Sequence, residues 1–294
     1  MGKFGFVILH YQIEEDTIKC VESLQKNIQG IDYSIIIVDN ASPNGTGKRL
    51  KERYRNYSNI YVLMSINNEG YARGNNIGYD FAKKRLKCDF IILLNNDTEI
   101  VQKNFCEIVQ KEYQASNCAV IGPLILKNGR KTMDNPGRNV PFSPKALRLF
   151  IYMNYFLYAL SFIYADILVE RLFEKYVIIK KANNKINLSE RQEDVALHGC
   201  CLIFTPLFTN TEKGLDPRTY MYLEEDLLYE KMHNQKMKMV YLPELKIEHK
   251  EAGSTNKAFR NSTEKRRFIY MNRIRSGRVL EKYKKESQQN RYEK

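Results

Sequence analysis

Apolar residues along this chain gather in short continuous runs, and between the runs they recur at helical spacing, the rhythm of buried strands alternating with helices. Phe4 to Leu9 is the first run, and Ile18, Val21, Leu24 and Ile28 follow at intervals of three and four. Ser34 to Val38 predicts a second strand and Ile60 to Met64 a third. The stretch that organises the rest is Cys88 to Ile100, Cys-Asp-Phe-Ile-Ile-Leu-Leu-Asn-Asn-Asp-Thr-Glu-Ile. Its five consecutive apolar residues, Phe90 to Leu94, read as a strand buried on both faces, since a half-buried strand would alternate. The run stops at Asn95, Asn96 and Asp97, so those groups arrive at the carboxyl edge of a parallel sheet, where open α/β folds bind ligands.

The chemistry of that edge follows from residue type. Asp97, a hard carboxylate beside amide oxygens, suits Mg²⁺ or Mn²⁺ bridging to phosphates; the alternative is a turn in which Asp97 or Thr98 caps the next helix. The second predicted strand ends in the polar turn Asp39-Asn40-Ala41-Ser42-Pro43-Asn44-Gly45, which brings another acid to the same rim. After the third come Asn67 to Gly78, with glycines at 70, 74 and 78 that permit close backbone approach to a ligand at a helix start. This spacing does not match the dinucleotide fingerprint Gly-x-Gly-x-x-Gly.

Taken in order, Val38-Asp39-Asn40-Ala41-Ser42, Asn68-Glu69-Gly70-Tyr71-Ala72-Arg73-Gly74-Asn75-Asn76 and Leu94-Asn95-Asn96-Asp97-Thr98 resemble the family 2 glycosyltransferases of the GT-A fold, an α/β fold with a mostly parallel central sheet flanked by helices. They look most like the rhamnosyltransferase-type branch of bacterial surface polysaccharide synthesis. The resemblance implies that Asp39 contacts a nucleotide base and that Tyr11, Asn68, Gly70, Arg73, Asn75 and Asn96 border a nucleoside-diphosphate sugar, of dTDP or UDP type. It also puts Asp97 at the last position of the Asp-x-Asp metal motif, whose first position is Asn95 here. Further matches are His198 to Phe204, expected as a strand on the acceptor side, Leu215 to Asp226, Val240 to Pro243 and Ile247-Glu248-His249.

Glu224-Glu225-Asp226 heads a helix expected to run to about Lys236, where first-turn carboxylates are favoured by the helix dipole. The resemblance makes this the place of the catalytic base: Glu225 or Asp226, with Glu224 as an orienting neighbour. His249 ends an apolar strand, Leu245 to Ile247, and by the resemblance faces the metal and diphosphate. Arg73 is either a phosphate partner or a surface cation, and Asp216 either positions acceptor or starts the turn at Pro217.

Two segments depart from the strand-and-helix rhythm. Leu149 to Leu168 is apolar with seven aromatics, close to the roughly 20 residues that cross a bilayer. A single crossing would separate two halves of one sheet, so a helix lying on the membrane or packed as a hairpin is expected. Beyond Lys257 the chain is a basic amphipathic helix, read as a contact with an anionic membrane surface. The expected organisation is a catalytic domain over residues 1–256, with a helical insertion at about 145–185, and a basic tail over 257–294. Charge agrees, since 47 Lys and Arg against 34 Asp and Glu give +13 and imply an anionic partner.

The six cysteines lack Cys-x-x-Cys spacing and no signal-peptide pattern is present, which suggests a reduced chain in the cytoplasm, peripheral at the inner face of the cell membrane. Two rival functions are weaker. A sugar-phosphate nucleotidyltransferase needs a glycine- and arginine-rich signature that His10 to Ile13 does not supply. A nucleic-acid-binding module would show an RNP, zinc or helix-turn-helix pattern, and none is found. The function expected is inverting transfer of a sugar, rhamnose being one candidate, to a growing, polyprenyl-linked saccharide.

Overall fold

The computed structural model describes residues 2–132, 134–170, 187–250 and 262–292. The apolar runs are strands: β1 (Phe4–His10), β2 (Tyr33–Asp39), β3 (Ile60–Met64) and β4 (Phe90–Asn95), alternating with helices α1 (Glu14–Asn27), α2 (Thr46–Arg53) and α3 (Gly70–Lys84). β1 pairs in parallel with β2 and β4, and β2 with β3, as crossovers through helices demand. Helices cover both faces, so β1 and β4 are buried almost throughout. Register then positions the polar ends: His10 lies opposite Asp39, and Leu9 opposite Asn95, so three strands finish level at one rim.

The second half adds β5 (Thr98–Ile100), α4 (Phe105–Ser116), β6 (Val120–Lys127), β7 (Arg130–Lys131), α5 (Pro144–Leu160), β8 (Gln192–Glu193), β9 (Cys201–Phe204), α6 (Pro206–Thr211), α7 (Glu224–Asn234), β10 (Met239–His249) and α8 (Ser262–Tyr292). The sheet runs β3-β2-β1-β4-β9-β6-β10-β5, with β7 beside β6 and β8 beside β10. β9 is antiparallel to β4 and β6, whereas β6 and β10 are parallel. Antiparallel pairing of β5 with β10 sets His249 opposite Thr98, which carries the end of β10 to Asp97.

Four local boundaries differ from the sequence pattern. Asp97 and Thr98 lead into β5 instead of capping a helix. The strand expected from His198 begins only at Cys201, because His198 Nδ1 accepts the Cys200 amide at 3.1 Å and the Gly199 carbonyl is taken by the Tyr71 hydroxyl. Leu245 to Ile247 belongs to the longer β10, whose register with β6 shifts between Leu242 and Lys246, around Pro243, which has no N–H for the ladder. α7 stops at Asn234, short of Lys236, whose φ of 58° lies in the left-handed region.

One apolar cluster joins the sheet to α1 and α4, and a second joins its other face to α3. A third ties α5 and α8 to α7 through Leu147, Ile151, Leu227, Ile274 and Leu280. α8 is therefore packed: Lys284 Nζ is 2.7 Å from Glu230 of α7, and Arg148 Nε of α5 is 3.0 Å from Glu281. The boundary expected at 256/257 and the end of the insertion, 171–186, lie outside the described residues. Among the described residues no helix is long and apolar enough to cross a membrane.

Candidate active site

The rim at the ends of β1, β2 and β4 forms one half of a cleft. Asp39 is buried, and its oxygens accept the Ser42 amide at 3.3 and 3.4 Å. A Cβ on Gly47 would stand 2.2 Å from Asp39 Oδ2, so the start of α2 has room for this carboxylate only with glycine there. Behind it, His10 shares hydrogen bonds with Thr17 Oγ1 at 2.7 Å and Thr46 Oγ1 at 2.9 Å. Burial lowers the His10 pKa to about 4, against the opposing pull of Asp39, so the imidazole is neutral at pH 7.

Asn40 joins β2 to α3. Its Nδ2 donates to Asn68 Oδ1 and to the Gly70 carbonyl, each at 3.1 Å, while its Oδ1 accepts the Glu69 amide at 2.8 Å. Gly70 has a φ of 73°, and a Cβ there would meet the Tyr220 carbonyl at 2.2 Å. Asn68 and Gly70 thus shape the turn. Asn75 Nδ2 donates to the Tyr71 carbonyl at 3.0 Å, and Asn96 Nδ2 donates to the Ile13 carbonyl and Thr17 Oγ1, each at 3.3 Å, so both NH₂ groups brace the backbone, while Asn75 Oδ1 is buried without a partner. Arg73 pairs with Glu69 at 3.0 Å and is 48% exposed, placing it on the helix surface. Tyr11 sits at the rim, where it and burial raise the pKa of Tyr220.

At the other end of the rim, His249 Nε2 lies 3.3 Å from Asp97 Oδ1, and His249 Nδ1 is buried without a partner. The His198 ring is 5.8 Å from that of His249. A carboxylate and an imidazole this close fit a divalent cation that draws its remaining ligands from diphosphate and water. Among the described residues no group of three His, Cys, Asp or Glu converges on a metal position.

The acids of α7 face this rim across a cavity of about 530 Å³ that also borders Asn95, Phe150 and Arg273. Tyr222 and Leu223 enter the helix with φ of 69° and 64°, a conformation costly for such residues that turns the first turn inward. The three carboxyls have different surroundings. Burial, aided by the neighbouring Glu225 charge, raises the Glu224 pKa to about 8, and its Oε1 has no partner. Asp226 is pushed up to about 6 by burial while Arg138 pulls the other way in a direct ion pair; the Arg138 guanidinium stacks 3.7 Å above the Phe142 ring. Glu225 Oε1 accepts the Gly199 amide at 3.2 Å, and a Cβ on Gly199 would crowd that oxygen at 2.7 Å.

One cavity thus brings Asn95 together with the three acids of α7, while Asp39 lies at the end of β2 on the same rim as Asn95 and Asp97 pairs with His249 where β5 meets β10; Arg73 is half exposed beside Glu69. Tyr71, Arg138 and Arg273 belong to the site without having been singled out in the sequence. Tyr71 stands inside the glycine-rich segment and could have been found there. Arg138 lies in an aperiodic stretch and Arg273 in a run of cations, neither with a local signal.

The model of the family described as "Glycosyl transferase family 2" matches residues 6–168. The chain belongs to this family. Over 126 residues it is 28% identical to the low-salt glycan biosynthesis hexosyltransferase Agl10 of Haloferax volcanii, covering 43% of this chain and 38% of that relative. Its fold is similar to that of S. aureus TarS 1–349 solved with UDP-GlcNAc, with a TM-score of 0.53 and 15% identity over 86% of this chain and 59% of TarS. GalNAc-T7 solved with UDP, GalNAc and Mn²⁺ gives a TM-score of 0.57 and 14% identity over 87% of this chain and 45% of that one. TarS and GalNAc-T7 have the GT-A fold, and the likeness to these two is one of fold alone. The chain spans between 38% and 59% of the length of each.

Proposed function

We propose that this protein is an inverting glycosyltransferase that moves a hexosyl group from a nucleoside-diphosphate sugar, of UDP or dTDP type, to a hydroxyl of a growing, polyprenyl-linked saccharide. The observation that carries the reading is the division of labour among the acids of α7. Asp226 is held by Arg138 and Glu224 is kept protonated by burial, which leaves Glu225, fixed by the Gly199 amide, to take the acceptor proton. The acceptor oxygen attacks the anomeric carbon as the bond to the diphosphate oxygen breaks, the electron pair departs with the diphosphate and the proton passes to Glu225. One displacement inverts the anomeric centre.

Asp39 and the Asn40 turn would hold the nucleotide, and Asp97 with His249 would hold Mg²⁺ or Mn²⁺, which supplies charge stabilisation to the leaving diphosphate. Rhamnose remains a candidate sugar on the resemblance of the motifs. The exposed aromatic side of α5 and the cations of α8 support residence at an anionic membrane, where a polyprenyl-linked acceptor would be found.

The test compares Glu225→Gln with Asp226→Asn in a panel of UDP, dTDP and GDP sugars with Mn²⁺. General-base catalysis supplies roughly 10²- to 10⁴-fold, so Glu225→Gln is expected to lower transfer kcat by about that factor with donor affinity little changed. Transfer by Glu225→Gln within a few fold of wild type would move the base elsewhere, and a wild type that turned over no sugar nucleotide would end the transferase reading.

A further inference from the structure

Helix α8 reaches into the cleft. Arg273 borders the same cavity as the three acids of α7, with its guanidinium 5.5 Å from the centre of the Tyr222 ring. The helix that carries it is held by two neighbours. Ser276 Oγ donates to the Met221 carbonyl at 2.9 Å, and Gly277 lets α8 lie so close to α5 that a Cβ would meet Ile151 Cγ1 at 2.8 Å. Tyr270 and Ile274, on either side of Arg273, are buried.

A guanidinium stays charged at any physiological pH. Among the described residues Arg273 pairs with no carboxylate, although three stand in the cavity it borders. Those acids are otherwise accounted for: Asp226 is neutralised by Arg138, Glu224 is protonated, and Glu225 is engaged by the Gly199 amide. Apart from those acids, Asn95 and His198, the walls of the cavity are largely apolar and aromatic, Phe142, Phe150 and Met221 among them. A fixed fork of N–H donors in such a setting matches the oxygens of a phosphate group.

We propose that Arg273 binds the phosphate group through which the acceptor saccharide is joined to its lipid, so that α8 takes part in acceptor recognition. This rests on the transferase reading above and adds the ligand of the acceptor side. The phosphate would lie towards α8 and α5, with the saccharide between it and Glu225, and the lipid chain would leave along the apolar wall made by Phe142 and Phe150.

The experiment measures binding of farnesyl diphosphate and of farnesol to the full chain by calorimetry, with saturating UDP and Mn²⁺ filling the donor side. Arg273→Gln is expected to weaken farnesyl diphosphate on the order of tenfold to a hundredfold, the range of a charge-assisted hydrogen bond, with Arg273→Lys recovering part of it. Farnesol binding should be the same in all three proteins. Farnesyl diphosphate binding by Arg273→Gln within about twofold of wild type, or an equal loss for farnesol, overturns the proposal. Inorganic pyrophosphate separates a lipid-borne from a free anion: if it displaces farnesyl diphosphate at equal concentration, the lipid-borne reading falls. A wild type that bound farnesyl diphosphate through Arg273 yet hydrolysed no sugar nucleotide would instead overturn the transferase reading, leaving a lipid-phosphate site with no acceptor role.

Discussion

Glu224 shows how far a side chain's identity can stand from its state. As the first acid of α7 it invites description as one more negative charge, yet burial holds its proton to about pH 8, well above the carboxyl value of 4.5. Between those two values the folded protein binds more protons at this position than the unfolded chain, so the associated stability is complete below about 4.5 and lost as pH rises through 8. Asp226 acts in the same direction over a shorter span, up to about 6. Glu224→Gln keeps the shape and cannot ionise. Its Tm should rise relative to wild type as pH is raised from about 5 to 9, with the gap levelling off above the Glu224 pKa. Thermal melts across that range check the point, and parallel curves for the two proteins would sink it. That three acids face the cleft was legible in the sequence. Their protonation was not, because it depends on Arg138 and on the strained Tyr222-Leu223 entry, which are brought to α7 by folding.

At the scale of elements, legibility followed the length and continuity of the apolar pattern. β1, β2 and β4 are continuous buried runs and β3 a shorter, half-buried one, and their ends moved by at most one residue between pattern and structure. β5, at three residues, carries no periodic signal and exists because β10 offers it an edge. In the tail, periodicity shows which side of α8 is apolar but cannot say what will cover it. The cover is α5 and α7, and the join includes a salt bridge with little solvent around it: Lys284 and Glu230 side chains are 14% and 3% exposed. Glu230 also accepts the Phe142 amide at 3.1 Å, so it anchors the chain leading into α5. Removing one partner of a buried pair leaves the other charge without compensation. Lys284→Met should therefore destabilise the protein by about 2 kcal/mol, less than for a fully buried pair because Lys284 keeps some solvent. Adding Glu230→Gln should restore most of that loss. Denaturant midpoints of the two variants give the comparison, and an unchanged midpoint for Lys284→Met would mean that α8 is not held by this contact.

For the whole molecule the question is where the excess of positive charge goes. Some of the cations of the tail, expected at a membrane surface, are used internally instead, Arg266 against Asp166 and Lys284 against Glu230. Four others, Arg275, Arg278, Lys282 and Lys285, are exposed at positions three and four apart, which puts them on one side of α8. Arg278 lies 5.3 Å from the Tyr155 ring centre on α5, so this basic ridge runs beside the exposed Leu149, Tyr152 and Phe156. An aromatic ridge next to a cationic one matches the boundary between acyl chains and anionic headgroups. A Lys or Arg near such a surface contributes about 1 kcal/mol, so Arg275→Gln with Lys282→Gln should weaken partitioning onto phosphatidylglycerol vesicles by roughly thirtyfold. Replacing Tyr152 and Phe156 with Ser should weaken it too, but without the steep dependence on salt that marks the charge term. Neither pair touches the cavity of α7, so donor hydrolysis in free solution should stay at the wild-type rate for both. Co-sedimentation at two salt concentrations distinguishes the contributions. Partitioning that survives both double substitutions at low salt would mean that the protein meets the membrane by another face.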